Sequence, residues 1–441
     1  MERRDFVKSS AILGATSALV GCNSIFANVK GSDRIKVGLI GCGGRGRGAV
    51  CNMMNADQNI EIVAMADLFP EKIDSALERI VKESRKFGNQ AKEIVNPDNV
   101  KKFVGINCED GLLATDVDVV IDACSPVFRT PHFAKIVAAG KHAFLEKPAC
   151  IDATQARQCF EISKLATQKG LSVVCGTQRR YHTGYQEMID RIQNGEIGDI
   201  VSTQCYWNDG RYVGHTQRNN THLAPDTMEY QIRNWFSFIW ASGDNIVEQH
   251  VHNLDVIMWA LGDERKPKDV RAWGGRSTDL PTPKFGDRFS HFAVDFDMGN
   301  GLRLSSYCQQ DPKVSREVGE RVIGTKGIMY TNLYGQIEID ELNGKKRWVF
   351  DKAKRPRDCM VEEHAYLLNA IRTGKQVNKI DQLVNSTLLA IAGRMSAYSG
   401  KKFKFDWVLA KSKESFCPEK IEFYKKMPMN GVPVPGKYEL I

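Results

Sequence analysis

Glu248, His252 and Asp255 occur in the run Glu248-Gln249-His250-Val251-His252-Asn253-Leu254-Asp255, in a helix-like stretch between Gly243 and Leu261-Gly262. Residues four and three apart share a helix face. The spacing therefore predicts an imidazole flanked by two carboxylates, which favour its charged form and fix its orientation. Such a ring can take a proton from a substrate hydroxyl. Lys147 follows the apolar run His142-Ala143-Phe144-Leu145 and is held at its end by Pro148. There an ammonium can stabilise a developing alkoxide or orient the hydroxyl. His250 is an extra ring that either competes for the proton or packs. No metal is expected on Glu248, His250 and His252, because three ligands so close in sequence do not converge from a regular helix.

These groups need elements to hold them. Arg34 to Ile40 is a short β-branched run that ends in Gly41-Cys42-Gly43-Gly44-Arg45-Gly46, a G-x-G-x-x-G. A helix-like segment follows from Ala49 to Met54, and a second strand, Ile60 to Ala66, ends in Asp67. Asp67 lies 21 residues beyond Gly46, close to the spacing of about 20 expected of a dinucleotide fingerprint. Gly41 would make the tight turn. Gly43 would let backbone N–H groups approach a pyrophosphate, and Gly46 would let helix pack on strand. Asp67 would accept hydrogen bonds from ribose hydroxyls and repel a 2′-phosphate, favouring NAD over NADP. Asp118 to Ala123, a helix from Pro131 through Ala139, and His142 to Leu145 continue the alternation. It predicts a doubly wound parallel sheet with Gly41, Asp67, Ser125 and Lys147 at its carboxyl edge.

Ala139-Gly140-Lys141-His142-Ala143-Phe144-Leu145-Glu146-Lys147-Pro148, with the glycine loop, resembles the glucose–fructose oxidoreductase, inositol dehydrogenase and rhizopine-catabolism (Gfo/Idh/MocA) family. The resemblance covers nearly all of the chain after the N-terminal segment. It implies an α/β protein with an N-terminal Rossmann domain and a C-terminal α+β domain built on a large, mostly antiparallel sheet. That sheet would carry the substrate pocket and the contact of a homo-oligomer, dimer or tetramer. The Glu248, His252 and Asp255 spacing matches the family's acid, histidine and aspartate, with Glu standing where many relatives have Asp. By the same resemblance Gly44, Arg45, Pro126, His132 and Glu146 join the cofactor-facing residues already named, and Arg180, Tyr181, Trp235 and Asp255 face the substrate. Lys147, His252 and Glu248 would be catalytic.

Charge and composition exclude other classes. The 441 residues carry a net charge of +8 with no long basic block, which argues against nucleic-acid binding. The 12 cysteines include no C-x-x-C pair, so Cys42, Cys124, Cys150 and Cys175 read as buried thiols. Met1 to Cys22 holds Arg3-Arg4-Asp5-Phe6-Val7-Lys8, a weakly apolar run and Leu19-Val20-Gly21-Cys22. This predicts a twin-arginine export address with a lipobox, and a lipid on Cys22 as the sole membrane contact. A protein so exported to the periplasm or cell surface would carry its NAD tightly bound and regenerate it on site. The expected domains are 1–22, 33–150, 151–415, and an extended arm, 416–441.

The second domain offers polar and aromatic groups suited to a sugar or polyol. Gln178 and Arg180 follow the strand Leu171 to Cys175. Trp207, Asn208, Arg211, Tyr212, His215, Tyr230, Arg233, Asn234, Trp235 and Trp240 crowd one segment. Tyr307, ending a hairpin strand after Gly299-Asn300-Gly301, reads as an ordinary sheet tyrosine. The expected activity is NAD-linked hydride transfer on a sugar or sugar derivative. One alternative is an NAD-dependent glycosidase working by oxidation, elimination, addition and reduction. The Thr-His-Gly segment of the α-N-acetylgalactosaminidases of that type is replaced by Gln249-His250-Val251. The other alternative is a lipoprotein that binds carbohydrate without chemistry.

Overall fold

The computed structural model describes residues 33–209, 223–277, 286–332, 334–354, 357–427 and 430–441. Met1 to Cys22, where an export address is expected, and Arg211, Tyr212 and His215 lie outside the described residues. Short, largely apolar runs, buried except at the Lys101–Val104 edge, build the first sheet. Its strands are β1 (Ile35–Ile40), β2 (Ile60–Asp67), β3 (Lys101–Val104), β4 (Val119–Asp122), β5 (His142–Leu145) and β6 (Val173–Cys175). They are all parallel, in the order β3-β2-β1-β4-β5-β6. This is the doubly wound dinucleotide-binding order, whose ligands lie at the carboxyl ends of the strands. The sheet continues past residue 150: the helix Ala153–Gln168 returns the chain to add β6 beside β5. The first domain therefore runs to about Thr177, not Cys150.

The second sheet has nine strands: β7 (Ile200–Asp209), β8 (Asp269–Gly275), β9 (His291–Asp297), β10 (Arg303–Gln309), β11 (Arg316–Gly324), β12 (Ile328–Thr331), β13 (Ile337–Asp340), β14 (Lys346–Val349) and β15 (Phe403–Lys404). Their order is β14-β13-β12-β11-β7-β10-β9-β8-β15, antiparallel except where β7 meets β10. The hairpin expected at Gly299-Asn300-Gly301 forms: Arg303 pairs Asp297, and all three turn residues have positive φ. The helix Ile380–Ser399 is buried along nearly its whole length and packs on β8 and on Ala153–Gln168, tying the sheets together. Along the β6 edge, Val173 N donates to Val377 O (2.7 Å) and Lys379 N to Val173 O (2.9 Å). Among the described residues no helix is long and apolar enough to cross a membrane.

Candidate active site

The glycine loop joins β1 to the helix Gly44–Ala56, and each glycine is needed for a different reason. Gly41 has φ +88°, and a Cβ there would meet Cys124 N at 2.6 Å. A Cβ on Gly46 would stand 1.9 Å from Gly41 O, so helix and strand meet only if that position is bare. A Cβ on Gly43 or Gly44 would meet nothing within 4 Å. These two face open space at a helix N-terminus, where an anion is favoured. Asp67, at the end of β2, accepts from Cys42 N (2.7 Å) and Phe69 N (3.0 Å), and burial raises its pKa. The loop and the acid fit a dinucleotide: Gly43 and Gly44 leave room for its phosphates, and Asp67 stands where ribose hydroxyls would be read.

Beside the loop is a cavity of about 280 Å³ lined by Arg45, Cys124, Pro126, Glu146, Lys147, Gln178, Trp235, Glu248, His252 and Met360, among others. Lys147 projects from the end of β5; its peptide bond to Pro148 is cis. Its Nζ donates to Glu248 Oε1 (2.7 Å) and to the Glu248 carbonyl. Glu248 ends the short helix Asn245–Glu248, and His252 lies in the first turn of the next, Val251–Leu261. The chain bends between them at Gln249 and His250. The expectation of one continuous helical face is thus corrected: the carboxylate of Glu248 holds Lys147.

His252 is also corrected in its charge. Burial is the largest influence, followed by the nearby Lys147 and Arg179 cations, and together they hold its pKa well below 6.5. The ring is therefore neutral at physiological pH, the form that accepts a proton. It stacks on Trp207, with ring centroids 5.9 Å apart. Arg179 lies over that tryptophan at 5.9 Å and is anchored by the fully buried Glu320 at 2.6 Å. His250 faces away, its Nε2 2.8 Å from Ser306 Oγ and 3.6 Å from Cys205 Sγ. Burial pushes its pKa down to about 3.

Other expected residues divide between cavity and frame. Trp235 and Gln178 reach the cavity wall, as do Pro126 and Glu146. Arg45 bridges two carboxylates, Glu146 and Glu363, the latter at 3.0 Å. Arg180 and Asp255, expected to face the substrate, instead grip one another (2.8 and 2.9 Å), and Arg180 also holds Asp263 (2.6 Å). Both are absorbed by a buried ion network with Ser386, so their charges are already matched. Tyr181 packs against Tyr366 at 5.6 Å. Ser125 precedes the helix Pro126–Ala138, and His132 sits about two turns further along, outside the cavity lining. In the aromatic segment, Trp240 donates to Gln231 (2.6 Å), Asn234 to Tyr230 O (2.8 Å), and Arg233 lies over Phe69. Tyr307 stacks on Tyr206 on the second sheet, as an ordinary sheet tyrosine.

Met360 and Glu363 were not foreseen, nor were Arg129 and Arg179. The helix Cys359–Thr373 carries the first pair onto Arg45 from the far end of the sequence. A signal existed: Glu363 and His364 interrupt the apolar stripe of Val361, Leu367, Leu368 and Ile371, and both are fully buried. Burial and the charge of Glu146 raise the Glu363 pKa well above the usual carboxylate range.

Comparison with known proteins agrees with this fold. Residues 35–177 match the GFO_IDH_MocA model, described as an oxidoreductase family with an NAD-binding Rossmann fold. Inositol 2-dehydrogenase of Salmonella paratyphi B is 23% identical over 248 residues, 56% of this chain and 60% of the relative. The chain thus spans about 60% of the length of that curated relative. Scyllo-inositol dehydrogenase from Lactobacillus casei, solved with NAD(H) and scyllo-inositol, aligns at a TM-score of 0.62 and 19% identity, over 85% of this chain and 100% of that one. GenD2 from gentamicin A biosynthesis, solved with NAD, aligns at 0.60 and 17%, over 88% and 99%. At these identities the structural likeness is one of fold. Over residues 35–177 the chain is therefore similar to the NAD-binding Rossmann domain of the Gfo/Idh/MocA oxidoreductase family, and its parallel sheet has that fold.

Proposed function

We propose that this protein oxidises or reduces a sugar or polyol, with His252 as the proton acceptor and Lys147 as the group that orients the reacting hydroxyl. The observation that carries the reading is the meeting of Lys147, Glu248 and a neutral His252 in one cavity beside the glycine loop. Bound NAD would supply the hydride acceptor. In the oxidising direction, the substrate C–H bond gives up its hydride and the O–H proton passes to the His252 imidazole, leaving a carbonyl. Lys147 donates to the oxygen as negative charge develops there, and Glu248 keeps the ammonium in place. Trp235 offers a ring face and Gln178 an amide for C–H groups and hydroxyls of the substrate. The acid Asp67 favours NAD over NADP.

The remaining parts of the reading rest on the sequence. Arg3-Arg4 and the Cys22 lipobox support export of a folded, NAD-loaded protein, tethered at most by lipid and assembled as a homo-oligomer. Outside the cytoplasm the bound cofactor would cycle between one substrate that reduces it and another that reoxidises it. The test is to denature mature protein taken from the cell envelope and to identify any released nucleotide by ultraviolet spectrum and mass. Inositols and sugars are then screened on the native preparation for reduced nicotinamide. Stoichiometric NAD and a responding polyol are expected. Protein that is empty and indifferent to added NAD and NADP would overturn the proposal.

A further inference from the structure

Behind the cavity wall a second group of side chains has a geometry the proposed redox chemistry does not use. Asp122 ends β4, Cys124 follows two residues on, and His132 lies in the helix Pro126–Ala138. One ligand atom from each lies within 4.8 Å of the other two. His132 Nδ1 sits between the others, 3.3 Å from Cys124 Sγ and 3.5 Å from Asp122 Oδ2. A tetrahedral zinc ion with ordinary bond lengths would set its S···N edge at about 3.5 Å and its N···O edge at about 3.4 Å. The two edges that meet at His132 Nδ1 therefore already stand near the separations of a coordination shell, and the third lies within 4.8 Å.

Asp122 is fully buried, and its Oδ2 makes no hydrogen bond of ordinary length, His132 Nδ1 standing 3.5 Å away. A buried carboxylate matched so loosely leaves negative charge that a cation could neutralise. Its other oxygen accepts from Cys124 N at 3.2 Å, which aims the pair at His132. Arg129 fixes the loop by donating to Cys124 O (2.6 Å) and Pro148 O (2.8 Å). On the far side of the imidazole, Nε2 lies 3.9 Å from Glu109 Oε2, and Lys135 holds the other Glu109 oxygen at 2.6 Å. A carboxylate behind a ligating histidine is a common outer-shell arrangement, one that sets the ring's orientation.

We propose that Asp122, Cys124 and His132 form a three-ligand site for a thiophilic divalent cation of the zinc type. Thiolate, carboxylate and neutral imidazole together carry two negative charges, which match the ion. On binding, the Cys124 thiol proton leaves to solvent as the S–metal bond forms. Cys124 also lines the cavity, so the fourth position is reached from there and left to water.

The test uses Co2+ as the probe on purified mature protein, after dialysis against a chelator. One equivalent should produce a thiolate-to-cobalt charge-transfer band and the intense visible bands of tetrahedral cobalt, with Zn2+ displacing it. Cys124→Ser and His132→Ala should abolish the bands, whereas Cys51→Ser should keep them. Glu109→Gln should weaken binding about 10- to 100-fold. If Cys124→Ser fails to fold by circular dichroism, Asp122→Asn serves in its place. Wild-type protein that takes up no cobalt, or bands that survive in the Cys124 and His132 variants, would overturn the site.

Discussion

His252 is surrounded by cations: Lys147, Arg179 and Arg45 all disfavour its protonation, and burial adds to them. A histidine with its pKa held well below 6.5 stays a competent base as the solution is acidified through the ordinary histidine range. The acid limb of kcat/KM is therefore expected below pH 6.5, with activity lost only as pH falls through the depressed value. A pH–rate profile checks this, and a limb at or above 6.5 would contradict it. His252→Asn should lower kcat by about 10²- to 10⁴-fold, the usual loss when a general base is removed. Glu248 provides a sharper test of which group it serves. Its carboxylate partly screens the Lys147 charge from the imidazole, at an Oε1–Nζ distance of 2.7 Å. In Glu248→Gln that screening is gone, so the acid limb should move to still lower pH while kcat falls. A limb that moves upward would mean that Glu248 acts on His252 in some other way.

At the scale of elements, the glycine loop separates packing from binding. Gly46→Ala puts a methyl 1.9 Å from Gly41 O and should lower the melting temperature with no ligand present. Gly43→Ala meets nothing within 4 Å and should leave that temperature unchanged. The same methyl intrudes where a pyrophosphate would lie against the backbone, so NAD affinity should fall by roughly tenfold or more, about 1.4 kcal/mol. Thermal shift without ligand and an NAD titration on both variants read the two effects apart. This loop was legible in the sequence because strand, glycines, helix and acid are local and in order. The hairpin at Gly299 to Gly301 was legible for the same reason. The break at Gln249 and His250 was not legible. It follows from partners on the second sheet: His250 reaches Ser306, and Asn253 reaches Glu320 at 2.7 Å. Arg180 and Asp255 were found as charged groups but misplaced, because nothing local in the sequence shows that each completes the other. Met360 and Glu363 reach the site from more than 300 residues beyond Arg45, and no short-range periodicity reports such a docking.

Over the whole molecule, the last 26 residues join the two ends of the fold. Among its described residues the arm has almost no regular structure, yet it is pinned at several points. Ile441 O accepts from Lys413 N and Ser412 Oγ, each at 2.8 Å, and Gly436 N donates to Ser399 O at 3.0 Å. Further back, the arm pairs with the chain near Thr227: Met228 N donates to Lys425 O (3.1 Å), Glu229 N to Phe423 O (3.2 Å) and Met427 N to Asp226 O (2.7 Å). This lays Phe423 on Phe69, with ring centroids 5.7 Å apart, while Arg233 lies 3.6 Å over the same Phe69 ring. Phe69 stands two residues after Asp67, so the arm covers the loop that follows the acid proposed to read the ribose. A segment held by backbone hydrogen bonds and a few aromatic contacts, Tyr438 on Tyr398 among them, can seal that end without contributing to the chemistry. Phe423→Ala removes the contact from a partly buried ring at the edge of a hydrophobic cluster, and the fold should survive. The variant should show wild-type kcat at saturating NAD, yet lose nucleotide during dialysis faster than wild type. The ratio of nucleotide to protein against time measures the effect. Equal retention in the two proteins would place the grip on the cofactor in the glycine loop alone.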